Sequence, residues 1–458
     1  MEKLKKIIAV TSVIMLTFSV TGCKKKDKKP VKESSVIEES VEVTPPTNER
    51  TLRWLSDFDL NPQANENRSA ALALFEDTYN SKIEYCHVEK KYLYEELSYR
   101  LKCGEQIDIV PFDMRSLPQQ AMNGLFQPFD SYYDYLDMDN AMWDDMTDLI
   151  EQMKYKDGHY VIPYALSNPN LIIYSKAMMR ENELEDPYEL YNQGKWTWTK
   201  FVEQMNAFVG KNGGYGICGN LGKGIVQSIG EPIVNYDNGT FSNNMGSANL
   251  EKAENLLAEI RGAGLYHDTL ETYFPTDHKT LFFAMSDWVM TESNVKNPDS
   301  ELMAVPFPIP DDALVCTSGF DMSAIMLVSG SQNGEAAAAY INCERTVNTT
   351  PEYQEIVKEN ALQDTKLASG TLVGFLRDYQ YDAINMYMNP KNVKPIVDFG
   401  YGMGEQMYGT DTYAYDTRGI INNLNTGLLD YSANAQSWEK MRETWSGVAD
   451  AQIAGYNK

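Results

Sequence analysis

The sequence predicts an α/β protein built as two lobes, and three observations carry that expectation. Strand-like and helix-like stretches alternate from Thr51 onward, the pattern of mainly parallel sheets joined by right-handed crossovers. The chain has 458 residues, which the usual size of a domain divides into about two to three units. No internal repeat is visible, so the length is not that of a solenoid.

The elements follow in order. Leu52, Trp54 and Leu55 open a strand, and Ala70, Leu72, Leu74 and Phe75 have helical spacing. Ile83-Glu84-Tyr85-Cys86-His87-Val88 alternates as a half-buried strand does. Tyr92 to Leu101 reads as a helix, with Gly104 as its stop before the strand Ile107-Asp108-Ile109-Val110. Phe201, Val202, Met205, Phe208 and Val209 line one helical face, for which Thr199 is the expected N-cap. The apolar run Ala324 to Val328 precedes an Ala-rich helix, Gly334 to Asn342. Trp438, Met441, Trp445 and Val448 form a last apolar stripe, expected to pack into a core.

The N-terminus has a different character. Lys3, Lys5 and Lys6 precede an apolar run from Ile7 to Val20, too short for a comfortable membrane span but suited to a secretion signal. The run ends in Val20-Thr21-Gly22-Cys23, which resembles the lipobox of bacterial lipoproteins. The resemblance implies removal of residues 1–22 and lipidation of Cys23. Residues 24–50 are charged, hold three prolines and lack aromatic residues, so they read as a disordered tether. The expected location is the extracellular face of the cell membrane, held there by lipid alone.

Composition excludes several classes. Asp and Glu number 65 against 40 Lys and Arg, a net charge of −25 with no basic stripe, which argues against nucleic acid as a partner. Cys86, Cys103, Cys218, Cys316 and Cys343 are scattered with no C-x-x-C pair, so neither a disulfide framework nor a zinc site is indicated. His87, His159, His267 and His278 form no H-E-x-x-H, and there is no G-x-S-x-G elbow. Asp57-Phe58-Asp59-Leu60-Asn61 starts like a calcium loop, but Pro62 and Arg68 stand where glycine and a bidentate Glu are required. Gly219-Asn220-Leu221-Gly222-Lys223-Gly224 lacks the Ser or Thr that a phosphate loop places after its Lys, and reads as a flexible glycine-rich turn. No metal and no cofactor are expected.

Several segments, taken in order, resemble the family 1 extracellular solute-binding proteins of ABC importers, the group that includes maltose-binding protein. They are Gly104-Glu105-Gln106-Ile107-Asp108-Ile109-Val110, Asp157-Gly158-His159-Tyr160-Val161-Ile162-Pro163-Tyr164, and Leu171-Ile172-Ile173-Tyr174-Ser175-Lys176. Trp196-Thr197-Trp198-Thr199-Lys200-Phe201, Phe283-Ala284-Met285-Ser286-Asp287-Trp288, Val305-Pro306-Phe307-Pro308 and Ser437-Trp438 continue the match. The resemblance implies a periplasmic-binding-protein-like fold: two α/β lobes, crossing segments between them, and a ligand cleft at the junction. It implies residues 51–165 with 299–345 as the first lobe and 166–298 with 346–458 as the second. The implied function is capture of a sugar or oligosaccharide, as a monomer, for delivery to the importer's permease. Phe, Trp and Tyr number 16, 7 and 29, and tyrosine suits a half-exposed polar groove. An extracellular carbohydrate-active enzyme using paired carboxylates is the alternative, although pairs such as Asp144-Asp145 read as a solvated acidic face.

Candidate ligand residues come from position and from the resemblance. Asp113, with Phe112 beside it, follows a strand at its carboxyl end, where ligands bind in parallel sheets. Trp54 and Asp57 end the first strand. By resemblance, Tyr164, Ser167 and Asn168 follow the Ile162-Pro163 crossing, and Trp288 with Asp287 matches the family's cleft tryptophan. Phe320 and Asp321 begin the return to the first lobe. Tyr401 lies in Gly400-Tyr401-Gly402-Met403-Gly404, where small neighbours let a ring meet ligand. Trp288 has two readings, a platform under a sugar or a core residue.

Overall fold

The computed structural model describes residues 50–62, 68–269, 273–275, 279–363, 365–366, 372–409, 419–429 and 437–458. The signal segment, Cys23 and the tether lie outside the described residues. The strands in chain order are β1 (Arg50–Ser56), β2 (Ser81–His87), β3 (Ile109–Pro111), β4 (Ala165–Ser167), β5 (Leu171–Ser175) and β6 (Tyr215–Gly219). Then come β7 (Val234–Asp237), β8 (Thr240–Asn243), β9 (Tyr266–His267), β10 (Thr280–Met285), β11 (Leu302–Pro306) and β12 (Thr317–Ser318). The last are β13 (Asp321–Ser323), β14 (Ile325–Leu327), β15 (Thr365–Lys366), β16 (Leu372–Gly374) and β17 (Lys394–Pro395).

Two larger sheets organise the molecule. The first has the order β14-β3-β1-β2, with β1 parallel to both neighbours and β14 antiparallel to β3. The second has the order β11-β5-β10-β6-β9; β6 is parallel to β9 and β10, and β5 is antiparallel to β10 and β11. Every residue of β5 and β11 is buried, as in a sheet covered on both faces. β2 buries Ser81, Ile83 and Cys86 and exposes Lys82, Glu84 and His87, as an edge strand with one covered face does.

The helices obey local rules. Ser69 caps the helix Ala70–Tyr79 by accepting from the Leu72 amide at 3.1 Å, and the helix ends on Asn80 in the left-handed region at φ 47°. The helix Trp198–Asn212 is capped by Thr197, which accepts from the Lys200 amide, and not by the expected Thr199. The reason is Trp198: its buried indole donates to Ser228 Oγ at 3.1 Å and fixes the first helical position. Thr199 is then free to donate its hydroxyl to Asp311 Oδ2 at 2.9 Å.

One core surrounds the first sheet and holds Leu52, Trp54, Ile109, Met326 and Tyr340; the other surrounds the second and holds Ile172, Phe201, Phe282 and Val305. Three stretches of chain run between them. The first passes from Ile162 through β4 to β5, the second from β11 through β12 and β13 to β14, and the third from Tyr387 through β17 to Phe399. Short ladders hold the crossings together, β4 antiparallel to β13 and β12 parallel to β17.

Two details depart from the sequence-based partition. Leu302–Pro306 pairs along its whole length with Leu171–Ser175 and so belongs to the second sheet, because five buried residues need a partner strand and cover on both faces. The C-terminal helix Trp438–Tyr456 sends Trp438, Met441, Ala449 and Ile453 into the first core, with Trp445 and Val448 packed against it. The five described cysteines are free. Among the described residues no helix is long and apolar enough to cross a membrane.

Candidate ligand cleft

Strand register fixes where the two sheets face each other. In the second sheet, Met285 of β10 pairs with Leu171, where the first crossing enters, and Leu171 pairs with Pro306, where the second leaves. Gly219, the last residue of β6, pairs with Ala284 at the same edge. In the first sheet, Pro111 at the end of β3 pairs with Ile325, where the second crossing arrives. The carboxyl ends of β1 and β3 therefore meet the crossings from one side, and those of β6 and β10 from the other. Parallel strands present ligand-binding loops at this end.

The wall on the first sheet carries a recess of about 230 Å³. It brings together five expected residues, Trp54, Asp57, Phe112, Asp113 and Tyr164. Trp54 is only 1% exposed, and its indole N–H donates to the Phe58 carbonyl at 2.9 Å. It is the floor of the recess, and its ring meets Phe58 edge-on at 5.4 Å. The exposed platform is Phe58 itself, at 48%, which the sequence reading passed over as part of a failed calcium loop.

Asp113 is also less available than its position implied. It accepts from Tyr94 Oη at 2.7 Å, from the Arg115 amide at 2.8 Å, and from the Arg115 guanidinium at 2.6 Å. Its role is to orient Arg115, which lies over the Tyr94 ring at 5.4 Å. Burial works against the guanidinium charge there, but bonding to Asp113 outweighs it and raises the Arg115 pKa. Tyr164 is half-buried; its amide donates to the Ser323 carbonyl at 2.9 Å, and burial pushes its phenol far up, so the hydroxyl stays protonated.

On the second sheet, Trp288 begins the helix Trp288–Lys296 and is 44% exposed, which excludes the core reading. Asp287 is half-buried beside it, with no hydrogen-bond partner for Oδ1 among the described residues, and burial raises its carboxyl above the usual range. The glycine-rich turn closes this wall as an ordered corner. β6 ends at Gly219, whose carbonyl accepts from Tyr266 Oη at 3.0 Å, and the helix Leu221–Ser228 starts two residues later.

The remaining expected residues sit in or beside the crossings. Ser167 lies opposite Asp321 in the β4–β13 ladder, and Asn168 Nδ2 donates to Asp321 Oδ2 at 2.8 Å. Phe320 is half-buried and packs against both cores, which makes it part of the joint. Tyr401 Oη accepts from Asn425 Nδ2 at 2.7 Å, with the Tyr408 ring 5.1 Å away, so its hydroxyl already has a partner. Arg115 and Phe58 were missed; the signal for the first was a lone cation two residues after Asp113.

This two-sheet arrangement with three crossings defines a hinged ligand-binding protein, and comparison gives its family. Residues 71–358 match the model described as bacterial extracellular solute-binding protein, and the chain belongs to that family. Its fold is similar to the sugar-binding protein MalE from Xanthomonas citri, with 14% identity, a TM-score of 0.61, and 88% of this chain and 98% of that one covered. It is also similar to the galacto-N-biose/lacto-N-biose I-binding protein of the ABC transporter from Bifidobacterium longum, with 11% identity, a TM-score of 0.59, and coverage of 89% and 97%. The cyclic α-maltosyl-1,6-maltose binding protein from Arthrobacter globiformis matches at 13% identity and a TM-score of 0.57, covering 88% and 98%. No curated protein matches the chain in sequence. The chain is an extracellular solute-binding protein of two-lobed fold.

Proposed function

We propose that this chain is the lipid-anchored receptor of an ABC importer, and that it captures a sugar or oligosaccharide between its lobes and passes it to the permease. The observation that carries the reading is the meeting of strand ends at the crossings, with an exposed ring on each wall, Phe58 and Trp288. Aromatic faces suit the C–H faces of sugars, and Arg115, Asp287, Asn168 and Asp321 supply the polar contacts that a concave site uses for orientation. Proteins of similar fold are described as binding lacto-N-biose and cyclic maltosyl-maltose, which supports the choice of solute class.

A thermal-shift screen of the chain from residue 51, across sugars, oligosaccharides, amino acids and peptides, tests the reading. A solute at a hundred times its dissociation constant adds about 2.7 kcal/mol to stability. A shift with amino acids or peptides alone would refute the sugar assignment. The bound sugar should be recovered unchanged after hours, since the family binds solutes; cleavage abolished by one carboxylate substitution would favour the enzyme instead. Anchoring rests on Cys23. Cys23→Ala should abolish labelling by a fatty-acid probe, and retained label would reject the lipobox.

A further inference from the structure

We propose that the recess on the first wall takes a single sugar unit at the end of the ligand, and that Asp57 and Lys90 read that unit's hydroxyls. The inference rests on the sugar-binding reading and adds how the ligand lies, inserted by one end rather than laid along the cleft.

Size and closure set the limit. An apolar cavity of about 150 Å³ holds benzene, so a recess of about 230 Å³ has room for one substituted six-membered ring and not for two. Its inner surface is formed by Trp54, Leu93, Ala324, Ile325 and Tyr340, all buried and all members of the first core. The recess therefore ends blindly against that core. A unit in the middle of a chain carries two glycosidic links and needs two exits, whereas a terminal unit needs one. The blind recess suits the terminal unit. Phe58, standing exposed with its ring edge-on to Trp54, gives the C–H face of that unit an apolar surface.

The hydroxyl edge needs partners, because a hydroxyl taken out of water without a hydrogen bond is costly. Two polar groups of the lining are already engaged: Asp113 by Tyr94 and Arg115, and Tyr340 Oη by Glu344 Oε1 at 2.6 Å. Four are open. Asp57 has one distant neighbour, Ser56 Oγ at 3.4 Å from Oδ1, and Oδ2 accepts nothing among the described residues. Lys90 is exposed in the turn before the helix Leu93–Lys102, and its ammonium has no hydrogen bond or ion pair among the described residues. Tyr164 Oη and Ser323 Oγ, brought in by the first and second crossings, are likewise unbonded among the described residues. An ionised carboxylate only accepts and an ammonium only donates. Asp57 therefore takes the proton of one hydroxyl and Lys90 the oxygen of another, and both bonds are strengthened by charge.

Titration calorimetry with maltotriose, cellotriose, isomaltotriose and mannotriose tests the proposal. Each is also prepared with its reducing-end ring opened to the alditol, and with a bulky acetal on its non-reducing unit. For any trisaccharide that binds, the change at one end should weaken binding at least tenfold, and the change at the other should leave it unaltered. Lys90→Met and Asp57→Asn should each weaken the unmodified trisaccharide at least tenfold and cost the weakly bound modified form nothing more. Loss at both ends, or at neither, would overturn insertion by one end while leaving the sugar reading intact. Wild-type affinity in either variant would remove that residue from the recess. A wild-type chain that binds none of the four trisaccharides would overturn the recess assignment, and if amino acids or peptides bind instead, the sugar reading falls with it. Unfolding temperatures identify a misfolded variant, in which case the end-modified sugars on wild type decide alone.

Discussion

Trp288 shows how exposure separates two readings that sequence leaves equal. A core tryptophan replaced by Ala costs about 3–5 kcal/mol of stability. At 44% exposure Trp288 is not such a residue, so Trp288→Ala should leave the unfolding midpoint within about 0.5 kcal/mol of wild type. Titration with the best sugar should instead lose about 1–3 kcal/mol, the range for a central aromatic anchor. Phe58→Ala belongs to the same experiment and has the same expected loss, and a variant of either residue that binds at wild-type affinity would remove that ring from the site. The sequence named both Trp288 and Trp54 as ligand contacts; the first is exposed and the second is the buried floor of the recess. Both are tryptophans near the carboxyl end of a strand, and it takes the burial of Trp54 and its indole bond to the Phe58 carbonyl to show that it faces inward. Asp113 lines the same recess, but Tyr94 lies 19 residues away in the chain, and no local pattern reports that it bonds the carboxylate.

Elements were legible where they were long enough to show a period. The expected helix Tyr92–Leu101 is found as Leu93–Lys102, and the first two strands lie where alternation put them. β4, β12, β13 and β17 have two or three residues each, too few for any period, yet they build the joint. A polar residue inside a helix face is equally silent until the packing is known. Glu254, on the helix Ala248–Gly262, is fully buried, neither carboxyl oxygen has a hydrogen-bond partner among the described residues, and burial raises its pKa to about 8. Between the ordinary Glu value and that point the folded chain holds a proton that the unfolded chain has lost. Stability due to this group is therefore fully present at acid pH and falls as pH rises through that window, by about 1.4 kcal/mol per pH unit at most. Glu254→Gln should remove the slope and be more stable than wild type at pH 8. Urea titrations across the window check it, and parallel profiles for the two proteins would show that the carboxyl is charged in the fold.

At the scale of the whole molecule, two lobes were visible in length and alternation and the crossings in the resemblance, whereas the ladders that hold the joint were visible only in the assembled sheets. Phe320 was expected to touch ligand, but its half-buried ring packs against both cores within the second crossing. A side chain in that position biases the equilibrium between lobe arrangements, and a ligand that grips both walls shifts the same equilibrium. The affinity observed then contains the population of the competent arrangement as well as the contacts. Phe320→Ala should therefore change sugar affinity by about 0.5–2 kcal/mol, the scale of coupling through residues that do not touch ligand. It should also change the radius of gyration of the sugar-free protein in solution scattering. Wild type should become more compact when sugar is added, and the variant should reach the same bound radius from a different free one. A ligand contact would behave otherwise, losing affinity with the sugar-free radius unchanged. That second result would return Phe320 to the binding surface and leave the ladders β4–β13 and β12–β17 as the hinge.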